Sequence, residues 1–246
     1  MIPDFLTALR TLTVLPVPGP EGDFGRSFFY FPLVGGLLAC ILWGVLISLN
    51  MLIPGHSLLV SLIGIGLISW LTGFLHLDGL ADTADAFGGG RSPEDILRIL
   101  KDSRIGSIGA AVLFFDLLAK VLLYSALLKE NHINLIAASV ILSRAVQPLF
   151  FVHLPYARGP EGKSYGFSQA KGLRTFLTIE FFALAIGLLF WMGPKTGVVA
   201  PAAAIGGCVA AGFRFHRGIG GITGDCVGAS SEIFEILFLI GALATL

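Results

Sequence analysis

The chain has 246 residues, 55% of them apolar and only 13% charged, with a mean hydropathy of +0.86. Soluble domains carry about 25% charged residues, so a water-soluble globular domain is excluded. The formal net charge is zero, which gives no bulk electrostatic case for a nucleic-acid partner, and the three scattered cysteines, Cys40, Cys208 and Cys226, form neither a disulfide framework nor a zinc spacing.

In chain order, Phe5, Leu6, Leu9 and Leu12 recur at helical spacing and predict a short helix lying on the membrane surface. Pro3, Asp4 and Arg10 interrupt the N-terminus, where no basic segment precedes an apolar core, so no cleavable signal is expected. Pro16, Pro18, Gly19 and Pro20 break regularity, and Phe28–Pro32 brings aromatic residues suited to the lipid interface. Leu33–Ile53 and Ser57–Leu77 each run 21 residues without an Asp, Glu, Lys or Arg. A helix needs ~20 residues to cross the ~30 Å hydrocarbon core. Seven spans are predicted, at 33–53, 57–77, 105–128, 133–153, 175–193, 196–213 and 231–246. The expectation is an all-α, polytopic membrane bundle with residues 1–246 as one domain, plus the N-terminal interfacial helix and one short cytoplasmic helix.

Basic residues orient that bundle. With the N-terminus inside, the inner segments hold Arg10, Arg26, Arg91, Arg98, Lys101, Arg104, Arg158, Lys163, Lys171, Arg174, Arg214 and Arg217, while the outer loops hold only Lys129 and Lys195. Twelve against two is a positive-inside bias, so every long loop, and with it the function, is expected on the cytoplasmic face. In the loop after the second span, Ser92 with Asp95 fits a capping box and Pro93 the first helical position, predicting a short amphipathic helix through Lys101.

The densest chemistry lies in His76-Leu77-Asp78-Gly79-Leu80-Ala81-Asp82-Thr83-Ala84-Asp85. On a helix, at ~100° per residue, Asp78, Asp82 and Asp85 fall within about a 60° arc. Such a cluster repels itself unless it is solvated or compensated, and hard oxygen ligands suit Mg²⁺ or Mn²⁺. The spacing excludes an EF-hand loop. His76 is a ligand, a base or an ordinary interfacial histidine. Lys101 and Arg104 precede Ile105-Gly106-Ser107-Ile108-Gly109 at the start of the third span, which suits a phosphate seat on free helix N–H groups or, more simply, flanking charge. A third group, Gly218–Glu232, contains Gly220, Gly221, Gly224, Asp225, Gly228 and Glu232; its glycines allow close backbone approach, and Asp225 and Glu232 share a face if a helix starts early. The topology opens all three groups on one face. Within the spans, Asp116 and Lys120 are spaced to pair with each other, and Arg144 needs a partner, for which Asp116 and Glu180 are candidates. Arg158 and Lys163 sit in a Gly/Pro-rich inner loop that could close over an anion.

These residues carry a resemblance. Phe5-Leu6-Thr7-Ala8-Leu9 leading to Leu15-Pro16-Val17-Pro18, then Phe31-Pro32-Leu33-Val34-Gly35, resemble the opening of the bacterial cobalamin synthase (adenosylcobinamide-GDP ribazoletransferase) family. The segments His76–Asp85 and Lys101-Asp102-Ser103-Arg104-Ile105-Gly106 are similar to that family's distinctive motifs, and Gly220–Asp225 with Gly228, Ala229 and Glu232 to its C-terminal one. The resemblance implies a multi-pass enzyme of the bacterial inner membrane that uses Mg²⁺ and acts late in cobalamin synthesis. Its substrates would be adenosylcobinamide-GDP and α-ribazole or its 5′-phosphate, its products adenosylcobalamin (or its 5′-phosphate) and GMP, and a homo-oligomer is compatible.

On that reading Asp78, Asp82, Asp85 and Asp225 hold the metal, and Asp82, Asp85, Asp225 and Glu232 carry the catalysis, Glu232 or Asp225 as base. Lys101, Arg104, His76, Arg144, Arg158 and Gly224 meet the substrates. The acidic stripe also gives an analogy to CDP-alcohol phosphotransferases, whose motif orders its acids differently. An ion-coupled transporter built on Asp116, Lys120, Arg144 and Glu180, or an assembly scaffold without chemistry, are the readings from other classes.

Overall fold

The computed structural model describes residues 1–90, 92–159 and 164–246; Arg91 and Lys163, two of the inner basic residues, lie outside the described residues. Helix α1 (Ile2–Leu12) is the expected surface helix, burying Ala8, Leu9 and Leu12. Its Asp4 accepts a bond from the Asp23 amide at 2.9 Å, and Arg10 donates to the carbonyls of Val17 at 2.8 Å and Gly19 at 2.7 Å. The proline-rich segment is thereby folded back over α1. Helix α2 (Phe24–Ser27) and a 3₁₀ turn, Phe28–Tyr30, lead into α3 (Phe31–Leu52). Then come α4 (Ser57–Leu71), α5 (Leu75–Gly89), α6 (Pro93–Ile99), α7 (Ser107–Lys129) and α8 (Ile133–His153). After α9 (Tyr165–Ser168) and a 3₁₀ turn, α10 (Arg174–Met192), α11 (Pro194–Ile219) and α12 (Gly224–Leu243) complete the chain.

Six of these segments are long and apolar enough to cross a membrane, and α4 with α5 forms a broken seventh, bent by 89°. A helical bundle is what a bilayer demands, because each span satisfies its own backbone groups. Helix α8 is its centre, buried along nearly its whole length between α3 and α12. Helix α10 lies outermost, leaving Phe176, Ile179, Phe182 and Ile186 exposed. The α3–α8 contact is close because Gly35 has no side chain, and a Cβ there would sit 3.2 Å from Ile141 Cα.

Four expected boundaries are corrected. The second span does not continue from 57 to 77: α4 stops at Leu71, where Gly73 (φ +61°) and Phe74 (φ +58°) both turn left-handed. At ~1.5 Å per residue α4 is only about 22 Å long, short of the hydrocarbon thickness. The sixth helix runs past 213 to Ile219, because Gly220 (φ +70°) is the first residue that caps it with a left-handed turn. The last helix starts at Gly224 rather than 231, since Thr223 caps it through Oγ1 on the Cys226 amide. Helix α6 has the predicted cap, Ser92 Oγ accepting from the Asp95 amide at 3.2 Å, but ends at Ile99, before Lys101.

Candidate active site

The break between α4 and α5 aims the acidic helix. Thr72 Oγ1 donates to the Ile68 carbonyl at 3.0 Å and ends α4, and the left-handed pair Gly73–Phe74 then turns the chain. For a bulky aromatic this backbone conformation costs on the order of 1–3 kcal/mol, so the surrounding structure must hold it. Helix α5 then packs against α12. A Cβ on Gly79 would lie 2.7 Å from the Asp225 carbonyl oxygen and 3.3 Å from Gly228 Cα, so only glycines permit this approach. Gly79 directly follows Asp78 and precedes Asp82 by three residues, on the side of α5 next to the acidic stripe. The near-contact of backbones therefore brings Asp225, from the far end of the chain, to their side.

Asp82 lies within electrostatic reach of Asp78, Asp225, Asp85 and Arg158. Among the described residues the side chains of Asp78 and Asp82 have no hydrogen bond or ion pair. Asp225 accepts from Thr223 Oγ1 at 3.2 Å and from Arg158 Nη2 at 3.2 Å. Arg158 is delivered by a strap: the Ile222 amide donates to the Pro155 carbonyl at 2.9 Å, and the Ala157 amide donates to the Ile222 carbonyl at 2.8 Å. It also donates to the Leu100 carbonyl at 2.9 Å, tying the α6 end to the same place. Gly224 sits at the first turn of α12, where a Cβ would be 2.6 Å from Ser164 Oγ. Burial pushes the strap's Tyr156 phenol up from its ordinary value.

Asp85 has a task the stripe does not suggest. Its two oxygens accept from the amides of Gly106 at 2.7 Å and Gly109 at 2.9 Å, capping α7 from another helix. The free N–H groups expected to seat a phosphate are therefore occupied by Asp85. Lys101 and Arg104 lie exposed beside that turn. Arg104 forms a bidentate pair with Asp102, Nε to Oδ1 at 2.9 Å and Nη2 to Oδ2 at 2.6 Å, and this guanidinium holds the Asp102 carboxyl down at about 2.

Three further expected site residues lie deeper. Glu232 is 4% exposed and ion-paired to Lys120, which also meets Asp116 at 3.3 Å and Glu235 at 3.4 Å. Asp116 and Lys120 thus pair as expected. Arg144, however, pairs with Glu235 rather than Asp116 or Glu180, with Ser143 Oγ donating to the same carboxylate at 2.9 Å. His76 is 2% exposed and its Nε2 lies 2.9 Å from Gln147 Nε2, which also donates to Ser231 Oγ at 3.1 Å. Glu235 and Gln147 escaped the sequence reading. The signal was there for Glu235, a second acid three residues after Glu232 within one apolar span, where an ionisable group needs a partner. Gln147 offered none.

Between α4, α5 and α7 runs a groove of about 410 Å³. Asp78, Asp82 and Ser103 meet in it near the start of α7, and its walls along α4 and α7, from Leu62 and Ile65 to Leu117 and Val121, are apolar. Phe74 lines it too.

In kind, Asp78, Asp82 and Asp225 are the oxygen donors that a hard divalent cation takes, and they are carried on two helices in contact at Gly79. As the side chains stand, no three Asp, Glu, His or Cys among the described residues converge on one ion position.

Acids gathered from distant segments at one end of a helical bundle, over a groove of ligand size, form the layout of an integral-membrane enzyme. The cobalamin-5-phosphate synthase family model matches residues 4–243, and the chain belongs to that family. It is 38% identical to the adenosylcobinamide-GDP ribazoletransferase of Chlorobium chlorochromatii over 99% of this chain and 97% of the relative. Against the protein of the same name from Chlorobium phaeobacteroides it is 40% identical, over 97% and 96%. Against that from Ralstonia pickettii the figures are 37%, over 97% and 94%. No solved structure matches the chain. The protein is a membrane transferase of late cobalamin synthesis, which sets aside the transporter and scaffold readings.

Proposed function

We propose that the chain transfers the adenosylcobinamide-phosphate unit of adenosylcobinamide-GDP to α-ribazole or its 5′-phosphate, releasing GMP, at the cytoplasmic face of a bacterial inner membrane. The observation that carries the reading is the close approach of α12 to α5 at Gly79, which sets Asp225 within electrostatic reach of Asp78 and Asp82. Those three carboxylates would hold Mg²⁺. When bound, it supplies charge neutralisation at the diphosphate oxygens.

The rest falls to the chain. Arg158 stands beside Asp225 and is placed to grip a phosphate oxygen. An acceptor hydroxyl oxygen forms a bond to the phosphorus that carries the cobinamide. The bridging P–O bond breaks, its electron pair leaves with GMP, and the hydroxyl proton passes to a carboxylate of the rim set. Glu232, engaged by Lys120 in the interior, is not that carboxylate. Lys101 and Arg104, exposed beside the rim, attract the anionic donor rather than bind its reacting phosphorus.

Detergent-purified protein incubated with Mg²⁺, adenosylcobinamide-GDP and α-ribazole should release GMP, and should release no CMP from a CDP-lipid donor. Chelation should stop the reaction, and Asp82→Asn should abolish it while the protein remains membrane-inserted. Near-normal turnover of Asp82→Asn would remove Asp82 from the site.

A further inference from the structure

We infer that the groove between α4, α5 and α7 seats the flat, apolar heteroaromatic base of the acceptor and directs its sugar hydroxyls at Asp78 and Asp82. This rests on the transferase reading above and adds to it the acceptor's place.

At about 410 Å³ the groove lies within the ~300–1,000 Å³ range of small-molecule sites. Its character is divided. Leu62, Ile65, Leu117 and Val121 offer walls for an uncharged ring, while the polar end offers two carboxylates that accept from hydroxyls. The donor's phosphates belong at the rim beside Arg158 rather than along this groove: none of Lys101, Arg104 and Arg158 lines it, and beyond Asp78 and Asp82 its walls on α4 and α7 are apolar. A lipid chain would leave the polar end unused.

Phe74 strengthens the assignment. It adopts φ +58° beside Gly73 and is 52% exposed, yet lines the groove. Its left-handed backbone at the turn between α4 and α5 holds the ring at the lip of the groove, where it presents a face for a second ring to stack on.

Gly66 provides the test, because it lines the groove and a Cβ built there meets nothing within 4 Å. Gly66→Leu should fill the groove without disturbing the fold. The expected result is a KM for α-ribazole raised tenfold or more, with the KM for adenosylcobinamide-GDP and the kcat at saturating acceptor changed less than threefold. Gly36→Leu, on α3 and also unobstructed, should change neither KM. Phe74→Gly relieves the backbone and removes the ring, so it should raise the acceptor KM without lowering thermal stability. A raised donor KM in Gly66→Leu would place the donor in the groove, and no change in either KM would leave it to lipid; each overturns the inference. If wild-type protein releases no GMP, the transferase reading fails. Equilibrium binding of α-ribazole to wild type and Gly66→Leu, read by its fluorescence, then decides the groove separately: equal affinity overturns it.

Discussion

Arg158 and Asp225, 67 residues apart in sequence, meet at 3.2 Å where three segments converge. The loop after α8 brings the arginine, the turn before α12 brings the aspartate, and the Leu100 carbonyl holds the same guanidinium nitrogen from below α6. The cation stands where a rim carboxylate would otherwise be free for a metal. On the proposed metal reading, an ion at Asp225 and the Arg158 contact would oppose each other until an anionic donor gave the guanidinium another partner.

Arg158→Ala should therefore tighten Mn²⁺ binding to substrate-free protein. A hydrogen bond to a charged group is worth ~1.5–3 kcal/mol, so the affinity gain should be about 10- to 150-fold. The same variant should raise the donor KM. Mn²⁺ electron paramagnetic resonance checks the first and GMP release the second; weaker Mn²⁺ binding would show that Arg158 supports the site.

Asp85 caps α7 and should behave as a cap. Asp85→Ala leaves the Gly106 and Gly109 amides without their acceptor and should cost ~0.5–2 kcal/mol of stability. Mn²⁺ affinity should stay within about threefold of wild type. A collapse of Mn²⁺ binding at unchanged thermal stability would return Asp85 to the ligand set.

Gly79→Ala tests the backbone contact. Its added methyl would be 2.7 Å from the Asp225 carbonyl oxygen, so α5 and α12 must separate. Overpacking of this kind costs ~1–3 kcal/mol. Because the separation divides Asp78 and Asp82 from Asp225, Mn²⁺ affinity and turnover should fall further than stability does. Full activity with a normal melting profile would mean that the acids need not meet.

Glu232 and Lys120 distinguish structure from chemistry. Removing one partner of a buried pair costs ~3–5 kcal/mol, so Lys120→Met should express poorly and melt early. Glu232→Gln keeps a hydrogen-bonding group, and Lys120 retains Asp116 and Glu235. Turnover per folded molecule should then hold within about threefold, against the ~10²–10⁴-fold that a lost general base would remove. A large fall in kcat with an altered pH profile would make Glu232 the base.

Reading the chain as a string found the spans to within two residues wherever a helix simply crosses, as at 133–153. It failed at Thr72–Phe74, where apolar composition continues through a turn made by backbone torsions rather than by hydropathy. It also shortened α11 and α12, because polar and glycine-rich turns at a bundle's end look like loop even where they remain helical. The acidic stripe on α5 was legible from its spacing. The division of labour within it was not: Asp85 turns to the α7 amides, and Asp78 and Asp82 turn to the groove.

By itself, then, the amino-acid order determined a helical membrane protein with an acidic stripe and glycine-rich turns. Hydrocarbon thickness dictates the length of apolar runs, and helical periodicity dictates which neighbours share a face. Only the tertiary structure decided the partners: Asp225 with Arg158, Arg144 with Glu235, Glu232 with Lys120. Those pairings depend on how closely one helix surface approaches another, as at Gly79, and no periodicity within a single helix carries that distance.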